Sequence, residues 1–422
     1  MMKPYEDNWE YLSEEFDYLD LLIHREVLKW RQLFPKQQEI FKGVFISDGE
    51  IDQLLQETAQ KQFVAENAGI ESVQRKVAAL QTQIAQRKEA SLEHGIYLAL
   101  PHLAHLFGLT PFEEQMVLIC LAPEVGLKYE RFYAYLQDDM TRKNPSVDLV
   151  MRLLCATPKE RLQAMGFFSQ QAPLFRTQIL RYLGNGENPL PGRLLKLDEL
   201  VVNFLLGIGG VDKTLAACIR FVTSPNDLQS LRWPDNLKTQ LVNVLQNYLQ
   251  SVHQSRRKLI YHFYGPYGTG KKSLAAGLCH EIGIPLLTVN LREILFRAQS
   301  FEDTIRTLFR ECILRPAAIY LEQFEQLLGD DDKAISYLQS IARCIDEFSW
   351  LTFIATEKFW TPAGLFKEHF YVSIELPMPD MMMRKELWVN LSTDNGLFSP
   401  EVDWGELAIK FRLTPGQMQD AL

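Results

Sequence analysis

No two cysteines of this 422-residue chain share a CxxC spacing. The six, Cys120, Cys155, Cys218, Cys279, Cys312 and Cys344, are scattered among apolar residues with no histidine cluster beside them. That pattern excludes the usual zinc ligand sets and disulfide frameworks and reads as reduced core thiols. An excess of positive charge is also missing. Lys and Arg number 44 against 53 Asp and Glu, a net charge of -9, which argues against a surface built for nucleic acid, because phosphate contacts need a basic face. No apolar run approaches the roughly 18 residues of a membrane-spanning helix. The N-terminus, MMKPYEDNWEYLSEEF, is acidic and lacks the apolar stretch of a signal peptide, so the cytoplasm is the expected compartment.

What is present is ordinary globular composition, 47% hydrophobic and 23% charged, on a chain long enough for two or three domains. Trp9, Leu12, Phe16, Leu19, Ile23, Val27 and Trp30 recur at spacings of three and four. They predict one apolar helix face, with Asp, Glu, Lys and Arg on the other. After Asn67, the residues Ile70, Val73, Val77, Leu80 and Ile84 fall at alternating apolar heptad positions. They read either as one arm of a packed helical hairpin or as an oligomerisation arm.

Several short helices follow. In LTPFEEQMVLICLAPE, Thr110 stands as N-cap, Pro111 at the first helical position and Glu113 three residues after the cap, the signature of a capping box with a proline start. NPSVDLVMRLLC opens a helix at Ser146, and NPLPGRLLKLDELVVNFLLG reads as a turn, a short strand and a helix. Helices with a small strand element suit a winged-helix domain. A helix that reads DNA displays Arg, Lys, Asn or Gln toward base edges, and the helix from Ser146 offers only Arg152. A protein-contacting winged helix is therefore the expectation. Helical periodicity runs on through LKTQLVNVLQNYLQSVHQS to the basic pair Arg256 and Arg257, where strands begin to alternate with helices and a domain boundary is expected.

The segment KLIYHFYGPYGTGKKSLAAGLCHEIG carries the chemistry. Leu259 to Phe263 reads as a buried strand feeding Gly265, Pro266, Tyr267, Gly268, Thr269, Gly270 and Lys271, and a helix follows. Glycines let backbone N–H groups converge on phosphate oxygens, the helix turns its positive end toward the same anion, and Lys271 adds a full charge. A phosphate loop carries Ser or Thr directly after this lysine, to hold magnesium. Here that residue is Lys272, and Ser273 lies one place late, about 100° further round the helix. Magnesium is expected to be weakly held, with Lys272 partly replacing its charge near the phosphates. In RPAAIYLEQFEQLL, a buried strand ends in Glu322 and Gln323, at the edge where open α/β sheets place their ligands. Such strands end Asp-Glu in this chemistry. Glu322 keeps a charge and is a weak magnesium candidate, whereas the Gln323 amide cannot accept a proton as a carboxylate does. WLTFIATEKFW, ending near Thr356 and Glu357, and YVSIELPMPD are further strands, and IPLLTVNL completes a five-stranded count. Their alternation with helices, one of them opening at Ser300, indicates a parallel, doubly wound α/β sheet.

From Leu259 onward the chain resembles the AAA+ superfamily of ring-forming ATPases. GPYGTGKK resembles its Walker A loop, IYLEQFE its Walker B strand, FIATEK its sensor-1 strand and FRLTPGQMQDAL the start of its sensor-2 helix. The whole chain, including FGLTPFEEQMVLICLAPE and KYERFYAYLQDDMTRKNPSVDL, is similar to the AAA+ proteins associated with extracellular contractile injection systems. That group has a winged-helix-like domain before the ATPase, and its members often carry a first, degenerate AAA+ domain before an intact one. The resemblance implies a P-loop NTPase fold, ATP as ligand, and catalytic roles for Glu322 and Gln323 and for the sensor-1 region at Thr356 and Glu357. It also places a carboxylate, Glu357, at or beside a sensor asparagine. No arginine lies between Arg343 and Arg384, where an arginine finger is expected, and Lys367 is the cation near that place.

The expected organisation is an N-terminal helical, coiled-coil-like region at 1–92, a winged-helix-like domain at 93–215 and a helical linker at 216–258. An AAA+ core at 259–378 and a partial lid at 379–422 complete it. The lid is expected either to stop short or to continue in a longer protein with a second ATPase domain. The leading reading is an oligomeric AAA+ assembly or remodelling factor that keeps ATP binding and has lost most hydrolysis. It would form a homo- or hetero-oligomeric ring and hold a protein partner through its N-terminal helices and winged helix. The alternatives are an active divergent ATPase working through Glu322 and an ATP-gated winged-helix DNA-binding regulator.

Overall fold

In the computed structural model, the N-terminal apolar pattern forms a helix, Asn8–Leu33. The structure describes residues 3–33, 48–59, 69–184, 188–208, 217–222, 228–231, 233–251, 257–329, 331–395 and 402–421. The chain divides into two units, Met1–Gly210 and Val211–Leu422.

In the first unit, Leu12, Phe16, Leu19, Ile23 and Val27 are buried as the spacing predicts, whereas Trp9, in the first turn, is exposed. The opposite face is not the solvated one that the periodicity implies. Glu15, Asp20, Arg25 and Glu26 are buried as well. Lys128 Nζ donates to Asp20 Oδ2 at 2.7 Å, Arg152 Nε to Glu26 Oε1 at 2.8 Å, and Arg25 Nη2 to the Leu153 carbonyl at 2.5 Å. The helix is covered on two sides, and its charges are tolerated inside because each has a partner. A heptad pattern read from one strand of sequence does not register a second cover.

The helix Ile70–Glu93 packs on Asn8–Leu33 through Val73, Val77 and Ile84. Arg87 bonds Glu10 and Glu14 at 2.5 and 3.0 Å. Within this unit the segment is a packed hairpin arm. The capping box at Thr110 forms: the Glu113 amide donates to the Thr110 hydroxyl, and the Thr110 amide donates back to the Glu113 carboxylate at 2.9 Å. Ser146 caps the helix Val147–Leu154. Strand β1, Leu180–Leu183, pairs antiparallel with β2, Leu194–Leu197, and Ser146 bridges to Leu194. A helix, Glu199–Leu205, closes the motif. Arg152 does not face outward for base reading. It bonds Glu26 and the Leu136 carbonyl and lies 5.0 Å over the Trp30 ring.

The second unit is built on a six-stranded sheet in the order β3-β5-β6-β7-β4-β8. Its strands are β3 Ile219–Val222, β4 Leu259–Tyr264, β5 Leu286–Asn290, β6 Ala318–Glu322, β7 Leu351–Thr356 and β8 Phe370–Glu375. The last five run parallel, as expected. The addition is β3, which pairs antiparallel with β5 at the edge. It falls inside the stretch read as a helical linker, where four residues are too few to show a period of two. The helix expected in that stretch is present as Asp235–Ser251. Tyr261 of β4 stacks on Phe353 of β7, and Phe263 packs against the same ring at a tilt, in the buried core. Three helices, Met381–Asn395, Trp404–Lys410 and Pro415–Asp420, form a small subdomain around Trp388, Ala408 and Met418. Arg384 is used there, bonding the carbonyls of Ala408 and Pro379. All six cysteines are buried and free.

His262 is fully buried in β4 between its two neighbouring strands. Its Nε2 lies 2.8 Å from the Thr356 hydroxyl and its Nδ1 3.2 Å from that of Ser373. Thr356 already donates to the Lys358 carbonyl, so its oxygen accepts from Nε2–H, and the tautomer follows. Burial pushes the imidazole pKa down to about 4 from its ordinary 6.5. The unfolded chain therefore binds the extra proton first, and this residue's contribution to stability, complete above about pH 6.5, is lost as pH falls toward 4. Between pH 7 and pH 5 the loss amounts to about 2 kcal/mol. Urea unfolding at the two pH values should show a clearly steeper loss in the parent than in His262→Asn; parallel losses would contradict this account.

Candidate functional site

The C-terminal end of β4 opens the site. The strand is buried along its length to Phe263 and leads directly into Gly265. Gly265 has φ of 146°, and a Cβ there would collide with the Leu376 carbonyl oxygen. Its amide donates to the Thr356 carbonyl at 3.2 Å, while the Leu376 amide donates to the Tyr264 carbonyl at 2.8 Å. The loop is thus pinned to the ends of both flanking strands. Gly268, at φ 78°, receives a hydrogen bond from the Gly416 amide at 2.9 Å, and a side chain at 268 would strike the Thr414 hydroxyl. Gly270, at φ 91°, begins the helix Lys271–Glu281 with no side-chain cap. Its first-turn N–H groups, which have no partner within the helix, are left for an external acceptor. The Thr269 hydroxyl, by contrast, is turned back onto the Pro266 carbonyl at 3.0 Å.

Two lysines follow and behave differently. Lys271 Nζ folds over the loop and donates to the carbonyls of Gly265 and Pro266 at 2.5 and 2.9 Å. Burial lowers its pKa, and the nearby carboxylates of Glu357 and Glu325 oppose that. Lys272 Nζ reaches across to β6 and bonds Glu322 Oε1 at 2.9 Å. Ser273 is exposed at the cleft.

Gln323 follows β6 in a left-handed conformation, φ 57°. Among the described residues its buried Oε1 has no hydrogen-bond partner, and neither has Oε2 of Glu325. At the end of β7, Thr356 is buried and its hydroxyl is spent on His262 and Lys358, while Glu357 is exposed and lines the cleft.

The residues singled out from Tyr267 to Ser273 meet Glu322, Gln323, Thr356 and Glu357 around one cleft of about 550 Å³. That volume suits a nucleotide-sized ligand. Gly265 and Pro266 shape the loop from behind and do not line the cleft. The opposite wall includes Pro415, Gly416 and Gln419, from the segment that resembles the start of a sensor-2 helix, together with Leu387 and Leu391, which the sequence does not single out, nor does it single out Arg292, Glu325 and Gln326. One local signal existed, the capping box of Thr414 and Gln417 that starts the helix Pro415–Asp420 and aims Gly416 at the loop. Lys367 packs against Gly364, outside the cleft lining. Among the described residues, no group of three or more His, Cys, Asp or Glu side chains is placed to hold a metal ion. No helix among them is long and apolar enough to cross a membrane.

Comparison with known proteins agrees with this architecture. Residues 1–219 match the family model described as winged helix domain, variant. Residues 261–377 match the ATPase family associated with various cellular activities, AAA. No curated protein matches the chain. Among solved structures, a katanin chain, determined to explain katanin self-assembly, is similar at 18% identity with a TM-score of 0.39, covering 50% of this chain and 76% of that one. The winged-helix match begins at the first residue and so takes in the helix Asn8–Leu33, whose Asp20 and Glu26 pair with Lys128 and Arg152. With that match spanning residues 1–219 of 422 and a P-loop sheet behind it, the chain belongs to the variant winged helix family and carries an AAA-type P-loop NTPase domain.

Proposed function

We propose that this protein binds ATP in the cleft between the glycine loop and the helix Pro415–Asp420 and turns it over slowly or not at all. The observation that carries the reading is the pair at the end of β6. Glu322 is engaged by Lys272, and Gln323 offers an amide where hydrolysis requires a base. The loop itself retains what binding needs, which is glycines at positive φ, an uncapped helix start and Lys271. The neighbouring positions add to this. Thr356 has no hydroxyl to spare, and Glu357 presents a negative charge to the cleft. An active enzyme working through Glu322 would need that carboxylate released from its lysine.

In this reading ATP acts as a structural ligand. Binding only to the assembled form, it would favour assembly by mass action. The assembly we propose is a ring, homo- or hetero-oligomeric, of the kind that AAA+ domains form. The winged-helix unit, whose Arg152 is tied inward, is proposed to hold a protein rather than DNA. The proposed setting is assembly or cargo loading of a contractile injection particle in the cytoplasm, and it rests on resemblance alone.

The full chain should bind a fluorescent ATP analogue, with affinity reduced by about tenfold or more in Lys271→Ala. Phosphate release should stay at the level of a protein-free blank. Brisk turnover that disappears in Glu322→Ala would replace this reading with the active-enzyme one. Light scattering should give a larger mass with ATP than without it; an unchanged monomer at saturating ATP would remove the assembly role.

A further inference from the structure

The place that magnesium takes in a phosphate loop is built here from the wrong donors. Divalent magnesium demands oxygen ligands in near-ideal octahedral geometry at about 2.0–2.1 Å. The residue after Lys271 supplies an ammonium instead of a hydroxyl, and that ammonium is bonded at 2.9 Å to Glu322, the carboxylate that closes β6. The next hydroxyl, Ser273, lies about 100° further round the helix. Glu325 and Glu357 act electrostatically on Lys271. A metal ion entering between the loop and β6 would meet the half-exposed Lys272 ammonium and the carboxylate bonded to it. The residues therefore do not fit magnesium, and what they do form is a cation belonging to the chain.

We propose that Lys272, positioned by Glu322, stands in for magnesium, so that this site binds nucleoside triphosphate without a divalent cation. The proposal rests on the reading that the glycine loop holds a triphosphate. The ammonium is presented on the first turn of the helix, beside the loop whose amides take the phosphate oxygens, and Glu322 holds its long stem in place at little cost in conformational freedom on binding. A tethered monovalent charge neutralises less of the triphosphate than a divalent ion. It cannot be withdrawn by a chelator, and it brings no metal-bound water to the phosphate. Occupancy then follows nucleotide concentration alone.

The test is equilibrium titration of the full chain with a fluorescent ATP analogue, in EDTA and again in excess magnesium. The parent should bind with affinities that agree within about threefold. Lys272→Met, which keeps the stem and removes the charge, should weaken binding in EDTA by about tenfold with an unchanged circular dichroism spectrum. The double variant Lys272→Ser with Glu322→Asp restores a hydroxyl and the shorter carboxylate, and should bind weakly in EDTA and recover in magnesium. A parent that binds tenfold or more tightly in magnesium than in EDTA would overturn the inference and leave nucleotide binding standing. So would a Lys272→Met variant indistinguishable from the parent. Absence of binding in both buffers would remove the nucleotide reading itself, and this inference with it.

Discussion

A carbonyl oxygen that tolerates no neighbouring side chain governs the second unit. The Leu376 oxygen lies where a Cβ at position 265 would stand, so residue 265 must be glycine and the chain leaving β4 must turn against the chain leaving β8. From that contact the remaining geometry follows. The loop is held to Thr356 on one side and Leu376 on the other, which fixes the direction of the helix Lys271–Glu281. The chain after β8 leads into the small helical subdomain that returns Gly416 to Gly268. Two close approaches of backbone to backbone, both possible only at glycine, thus hold the loop, one from behind at Gly265 and one beside the cleft at Gly268. Glu322, Gln323 and Glu357 lie outside these loop contacts, whereas Thr356 serves the loop through its backbone carbonyl.

The parts of the fold that were legible in the sequence are those whose cause is local. The capping box at Thr110 and the N-cap at Ser146 form because they need only four consecutive residues. The glycine loop was legible because positive φ and a following lysine leave few other readings. The sequence also shows Lys272 standing where a phosphate loop has Ser or Thr, but spacing does not reveal its bond to Glu322, fifty positions away. What escaped notice depends on distant chain. Strand β3 is four residues long and acquires its conformation from β5. The cleft wall of Leu387, Leu391 and Gln419 exists only once the subdomain folds back. His262 reads as an ordinary strand residue until Thr356 and Ser373 arrive on either side of it.

The first unit shows the same division in a different chemistry. Its apolar stripe was correct, and its solvated stripe was not, because buried carboxylates and arginines look identical to exposed ones in a helical pattern. Net charge separates neither case. Pairing does: Asp20 with Lys128 and Glu26 with Arg152 turn what seemed a surface into an internal joint.

That joint bears on where this protein can be cut. Arg152 belongs to the middle of the winged-helix motif, yet its carboxylate partner sits on the helix Asn8–Leu33, more than a hundred residues earlier. Removing Arg152's partner would leave a largely buried guanidinium without that carboxylate, which destabilises the unit. A fragment begun at the apparent domain edge near residue 93 would forfeit Glu26, the Asp20 carboxylate that pairs with Lys128 and the Trp30 ring beneath Arg152 all together. The leading helix is accordingly an inner wall of the winged-helix unit, and a soluble fragment has to start upstream of it.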